Sequence, residues 1–151
     1  MKKLPALLTE EQIQKRVSEL AAQITKDYKG EEPVFVAVLK GSIIFFSDLI
    51  GRIDLPLEID FLGASSYGNK TTSSGIVRIT LDLSYPVQGR HVVLVEDIVD
   101  TGNTLNYILE GMKLREAASV KVCTLLLKPD CLKKKVPLDY VGFKIPNKFV
   151  V

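Results

Sequence analysis

Three strand-length, largely apolar runs constrain this chain most: VFVAVL (34–39), HVVLV (91–95) and VKVCTLLL (120–127). A strand with one wet face alternates apolar and polar residues, whereas a continuous apolar run belongs to a strand covered on both faces. Helical patterns separate the runs. Thr9 and Gln12 stand at capping-box spacing, and Ile13, Val17, Leu20, Ala21 and Ile24 then mark one apolar face. IIFFSDLI reads as a helix ending at Gly51, and a further helix runs from about Asn103 to Lys113. LEIDFLGA (57–64), IVRITLDL (76–83) and DYVGFKI (139–145) read as the remaining strands. Strands alternating with helices predict an α/β fold, a mostly parallel sheet flanked by helices on both faces. With 151 residues the chain makes one domain, 1–151.

Composition excludes several classes. A hydrophobic fraction of 46% with a net charge of +2 is not that of a disordered chain. No run approaches the roughly 18 apolar residues of a membrane span. The near-neutral balance makes no general case for nucleic-acid binding. The start, MKKLPALLTEEQIQ, has too short an apolar stretch for a signal peptide and meets acidic residues at once. Cys123 sits in an apolar run as a core thiol, and its spacing to Cys131 fits neither a metal site nor a disulfide framework. The expected compartment is the reducing cytoplasm. His91 has no acid or nucleophile pattern around it and reads as structural.

The informative segment is VVLVEDIVDTGNTL, Val92 to Leu105. A buried strand ends in the adjacent carboxylates Glu96 and Asp97, and Asp100-Thr101-Gly102-Asn103-Thr104 then opens a helix. Ligands of open α/β sheets bind beyond the carboxyl ends of strands. Gly102 lets a ligand approach the backbone, and the free N–H groups of the helix start, with the Thr101 and Thr104 hydroxyls, suit a phosphate. The turn is neither a Walker loop nor the GxGxxG dinucleotide turn. Carboxylates beside a phosphate repel it unless they engage hydroxyls or a divalent cation. A ligand with a phosphate, vicinal hydroxyls and nearby Mg²⁺ resolves the conflict, and ribose 5-phosphate fits. The plain alternative is an ordinary βα turn with Asp100 as N-cap. SSYGNKTTSSG (65–75) is polar and without helical period, a surface hairpin loop or a functional lid.

VLVEDIVDTGNT resembles the signature of the type I phosphoribosyltransferases, which bind phosphoribosyl pyrophosphate. VAVLKGSIIFFSDL, the SSYG loop, LLLKPD and VGFKIPNKFVV resemble the hypoxanthine-guanine branch of that family, so the resemblance covers nearly the whole chain. It implies a small hood built from the chain termini. It also implies transfer of phosphoribose to hypoxanthine or guanine, giving IMP or GMP and pyrophosphate, with Mg²⁺ as cofactor.

Site residues follow from the resemblance. Asp100 corresponds to the catalytic acid/base near N7 of the purine. Glu96 and Asp97 correspond to the pair near the ribose hydroxyls and the metal. Thr101, Gly102, Asn103 and Thr104, with Leu105 behind them, correspond to the 5′-phosphate cradle. Lys40 and Gly41 correspond to the pyrophosphate loop, whose leading peptide can be cis in the family. The plain alternative there is a turn with Ser42 as cap. Lys128 corresponds to the lysine that donates to the purine 6-oxo group. Phe149 corresponds to the aromatic stacked on the base, where Val150 reads the base edge; without the resemblance Phe149 would read as core. Ser66 and Tyr67 correspond to a Ser-Tyr pair on a lid loop that excludes water.

In the family KFVV continues into Gly-Tyr-x-x-Asp-Tyr, and this chain stops at Val151, so the domain is expected to lack that C-terminal segment. The resemblance further implies a homodimer or homotetramer. Lys133-Lys134-Lys135 reads as a solvated loop rather than a nucleic-acid patch. It keeps in view a regulator that binds nucleotide and RNA, while the short C-terminus keeps in view an inactive phosphoribosyl pyrophosphate-binding module.

Overall fold

The structure is a computed structural model and describes residues 6–67 and 76–151. Six strands form one sheet in the order β3-β2-β1-β4-β5-β6. They are β1 (Val34–Leu39), β2 (Glu58–Tyr67), β3 (Ile76–Leu81), β4 (His91–Val99), β5 (Ser119–Leu127) and β6 (Tyr140–Lys144). All neighbours pair in parallel except β2 and β3, which are antiparallel. The helices are α1 (Glu10–Asp27), α2 (Ile43–Ile50) and α3 (Asn103–Leu114).

The apolar runs are central because they are apolar on both faces. Phe35 and Val36 of β1, and Val92 to Val95 of β4, are fully buried. Phe35, Ala37, Val93 and Val95 face one core, against Val17, Leu20 and Ile24 of α1 and Phe45, Phe46 and Leu49 of α2. Val36, Val38, Val92 and Leu94 face the other, against Leu105, Ile108, Leu109 and Met112 of α3. Each large side chain taken from water adds about 1.5–3 kcal/mol. The capping box forms as its spacing predicts: the Gln12 amide donates to Thr9 Oγ1 at 3.1 Å and the Thr9 amide to Gln12 Oε1 at 2.8 Å.

Two strands run past their expected ends. β4 continues through Glu96 and Asp97 to Val99, because its ladder with β5 is kept at Ile98↔Leu126 and Val99↔Leu127. β2 continues through Ser65, Ser66 and Tyr67, held by antiparallel pairing with β3 at Ser66↔Val77 and Tyr67↔Ile76. Ser66 and Tyr67 are therefore strand residues rather than loop residues. The rest of the proposed lid, 68–75, lies outside the described residues, as does the part of the expected hood in 1–5.

β1 leads into α2 on one face, and the adjacent β4 leads into α3 on the other. Chain order reverses direction between these two strands. A crevice opens at such a switch point, outside the carboxyl ends of the strands.

Candidate active site

A cleft of about 390 Å³ occupies that position. Gly41, Ser66, Glu96, Asp97, Asp100, Thr101, Gly102, Thr104 and Leu105 line it, with Val38, Leu39 and Ala64 beneath. Parallel strands put their carboxyl ends on one edge of the sheet. Residues from the ends of β1, β2 and β4 thus meet although they are far apart in the chain.

The β4–α3 turn is built for close approach. Gly102 has φ +82°, the left-handed region that glycine enters without penalty, and a Cβ there would stand 3.1 Å from the Lys134 carbonyl oxygen. Gly102 is itself the N-cap of α3 and supplies no side chain, so Asp100 is not the cap. The first amides of α3 lack intrahelical partners and face a site rich in hydroxyls. The Asn103 amide reaches Thr101 Oγ1 at 3.3 Å. Leu105 is buried and forms the floor.

Lys40 and Gly41 form the β1–α2 turn, and the Leu39–Lys40 peptide is cis. A Cβ on Gly41 would strike the Asp97 carboxylate, so only glycine lets this turn lie so close to β4. Ser42 is not a side-chain cap; its buried hydroxyl donates to the Val38 carbonyl at 2.6 Å. Lys40 is exposed and, unlike Gly41, does not itself line the cleft.

Glu96 is buried, and burial, with Asp97 beside it, pushes its carboxyl up to about 8. Two adjacent acids in a partly dry cleft are unfavourable for an empty site and favourable for one that receives a cation. Lys128, directly after β5, is only 7% exposed. Its amide donates to the Val99 carbonyl at 3.0 Å, and its Nζ stands 3.6 Å from Asp100 Oδ2. At that distance the contact is an ion pair rather than a hydrogen bond, so the ammonium donors are left for an acceptor.

Phe149 is not core. It is 91% exposed, and neither it nor Val150 lines the cleft. Two contacts have no sequence signal. Cys131 follows Lys128 in a short 3-10 turn, and desolvation, then the nearby Asp100 carboxylate, raises its pKa. The Lys133 and Lys134 amides both donate to the Thr101 carbonyl, at 2.8 and 3.2 Å. Backbone-to-backbone ties between loops leave no mark on residue type. Cys123 is a fully buried thiol, pushed up to about 12 mainly by burial.

The phosphoribosyl transferase domain matches residues 5–151. The chain belongs to this family. The hypoxanthine-guanine phosphoribosyltransferase of Bacillus subtilis (strain 168) is 48% identical over 145 residues, covering 96% of this chain and 81% of that protein. The bifunctional protein TilS/HprT of Listeria innocua is also 48% identical over 145 residues, but the chain spans only 22% of that longer protein. A crystal structure of a hypoxanthine phosphoribosyltransferase from Staphylococcus aureus superposes with a TM-score of 0.92 at 48% identity, covering 96% of this chain and 79% of that one. The mostly parallel sheet with helices on both faces is thus this family's fold, and the cleft lies at its switch point.

Proposed function

We propose that this chain serves purine salvage, transferring the 5-phosphoribosyl group from phosphoribosyl pyrophosphate to hypoxanthine or guanine. The products are IMP or GMP and pyrophosphate. The observation that carries this reading is the Asp100–Lys128 pair at 3.6 Å beside the Gly102 turn, a base-reading cation and a proton acceptor next to a phosphate cradle.

In the reaction the bond from C1′ to pyrophosphate breaks and the bond from C1′ to purine N9 forms. Asp100 accepts the proton that leaves N7, a task suited to a half-exposed carboxylate within reach of the ring. Lys128 donates to the 6-oxo group. An ammonium cannot accept a hydrogen bond, so the 6-amino group of adenine finds no partner there. Thr101, Gly102, Asn103 and Thr104 hold the 5′-phosphate, with Leu105 fixing the turn from below. Lys40 and Gly41 hold pyrophosphate; Phe149 and Val150 stand outside the cleft lining, and their roles of stacking on the base and reading its edge rest on the family resemblance alone. Ser66 and Tyr67 belong to the segment that covers the reacting centre and excludes water.

Among the described residues no cluster of three or more metal-ligating side chains occurs. Glu96 and Asp97 nevertheless fit Mg²⁺, which is usually held by one or two carboxylates together with substrate oxygens. When bound, the ion neutralises charge on the leaving pyrophosphate. No helix among the described residues is long and apolar enough to cross a membrane. Action in the cytoplasm is part of this proposal, and assembly as a homodimer or homotetramer fits the exposed Ile43 and Ile44, which offer apolar surface beside the Lys40 turn.

The test is product identification with phosphoribosyl pyrophosphate, Mg²⁺ and each of hypoxanthine, guanine, xanthine and adenine. IMP and GMP are expected, with no AMP. Nucleotide from no base, alongside salt-sensitive RNA binding, would instead describe a regulator.

A further inference from the structure

Lys133-Lys134-Lys135 is a charged feature for which the transfer reaction has no role. In sequence it reads as a solvated loop, yet the structure fixes it against the phosphate turn. The Lys133 and Lys134 amides clasp the Thr101 carbonyl, and the Lys134 carbonyl fills the space left by the missing side chain of Gly102. On one side of the run, Leu132 packs into the α3-side core. The backbone is thus held in place while all three side chains are exposed. Among the described residues none of the three pairs with a carboxylate.

The cleft needs such charge. Glu96, Asp97 and Asp100 line it, and the ammonium of Lys128 is engaged with Asp100. A polyanion diffusing toward this opening meets carboxylates first unless cations flank the entrance. Two of the three lysines bond Thr101 directly through their backbone and the third follows in sequence. The run is therefore anchored at the turn that forms the cradle, and exposed charges act through solvent over about one Debye length, roughly 8 Å at physiological salt.

We propose that Lys133, Lys134 and Lys135 form a cationic rim that draws a polyanionic sugar phosphate into the cleft, phosphate end first. The proposal rests on the reading of Thr101 to Thr104 as a phosphate cradle. It adds a capture surface outside the residues that touch the bound ligand. A rim of this kind acts on association and on polyanions, and leaves the uncharged base and the chemical step alone.

The experiment compares wild type with a triple variant, Lys133→Gln, Lys134→Gln and Lys135→Gln. A control triple variant, Lys15→Gln, Lys26→Gln and Lys29→Gln, makes the same change in net charge at exposed positions on and just after α1. Calorimetric binding of phosphoribosyl pyrophosphate and steady-state kinetics are measured across a salt series, with thermal melts to confirm folding. The rim variant is expected to lose about threefold to tenfold in affinity and kcat/KM for phosphoribosyl pyrophosphate at low salt. The gap should close at high salt, with kcat and the KM for hypoxanthine unchanged and the control variant like wild type. Equal values for wild type and rim variant at low salt would overturn the proposal. So would a loss that high salt does not diminish, or one that the control variant shares. A wild type that binds no phosphoribosyl pyrophosphate would overturn the cradle reading and the rim with it, a different result from unchanged binding in the variant.

Discussion

Glu96 shows how one buried side chain sets a property of the ligand-free protein. Its carboxyl is pushed up to about 8 by burial and by Asp97, well above its unfolded value. The folded state then holds an extra proton through the window from about 4.5 to about 8, so raising the pH across it costs stability. With divalent cations chelated, the melting temperature should fall from pH 5 to pH 8, a loss on the order of a few kcal/mol. Glu96→Gln should flatten that dependence, and melting curves of both proteins check it; parallel curves would contradict the account. Lys128 sets selectivity at the same scale. Lys128→Ala is expected to cut kcat/KM for hypoxanthine and guanine by about ten- to a hundredfold, the worth of a charged hydrogen bond. Any adenine use should stay unaffected, and an equal loss for adenine would count against the role of Lys128.

Two turns carry the cleft, and each depends on one glycine. Gly102→Ala forces a side chain into a positive φ and against the Lys134 carbonyl, at a cost of about 1–3 kcal/mol. Its expected signature is a lower melting temperature with a raised KM for phosphoribosyl pyrophosphate and little change in the KM for the base. Gly41→Ala drives a methyl group into the Asp97 carboxylate. Product inhibition by pyrophosphate should weaken in that variant, and unchanged inhibition would place the pyrophosphate elsewhere. Much of these elements is legible in the residues themselves. The apolar runs locate β1, β4 and β5, Thr9 and Gln12 locate the start of α1, and the acid-Thr-Gly pattern locates the turn. Other features are not legible. The Ser65–Tyr67 end of β2 lacks apolar alternation and exists through its pairing with β3. Glu96 and Asp97 lie within β4, where the ladder to β5 outruns the apolar run that marks the strand. The clasp of Thr101 by Lys133 and Lys134 is backbone chemistry to which residue type gives no clue.

At the scale of the molecule, two cores on opposite faces of one sheet hold α2 and α3 apart and open the cleft between β1 and β4. Carboxylates, hydroxyls and glycine turns from separate parts of the chain converge there, and Lys128, directly after β5, pairs with Asp100 of the cleft. The near-zero net charge of +2 conceals the acids gathered in the cleft, Glu96, Asp97 and Asp100. The central claim is that this cleft carries out the transfer with Asp100 as proton acceptor. The most direct measurement is the single-turnover rate of IMP formation by Asp100→Asn against wild type, with IMP affinity measured in parallel. The rate should fall about a hundredfold or more while IMP affinity changes by only a few-fold. A rate equal to wild type would contradict the assignment of Asp100 and, with it, the placement of the chemistry in this cleft.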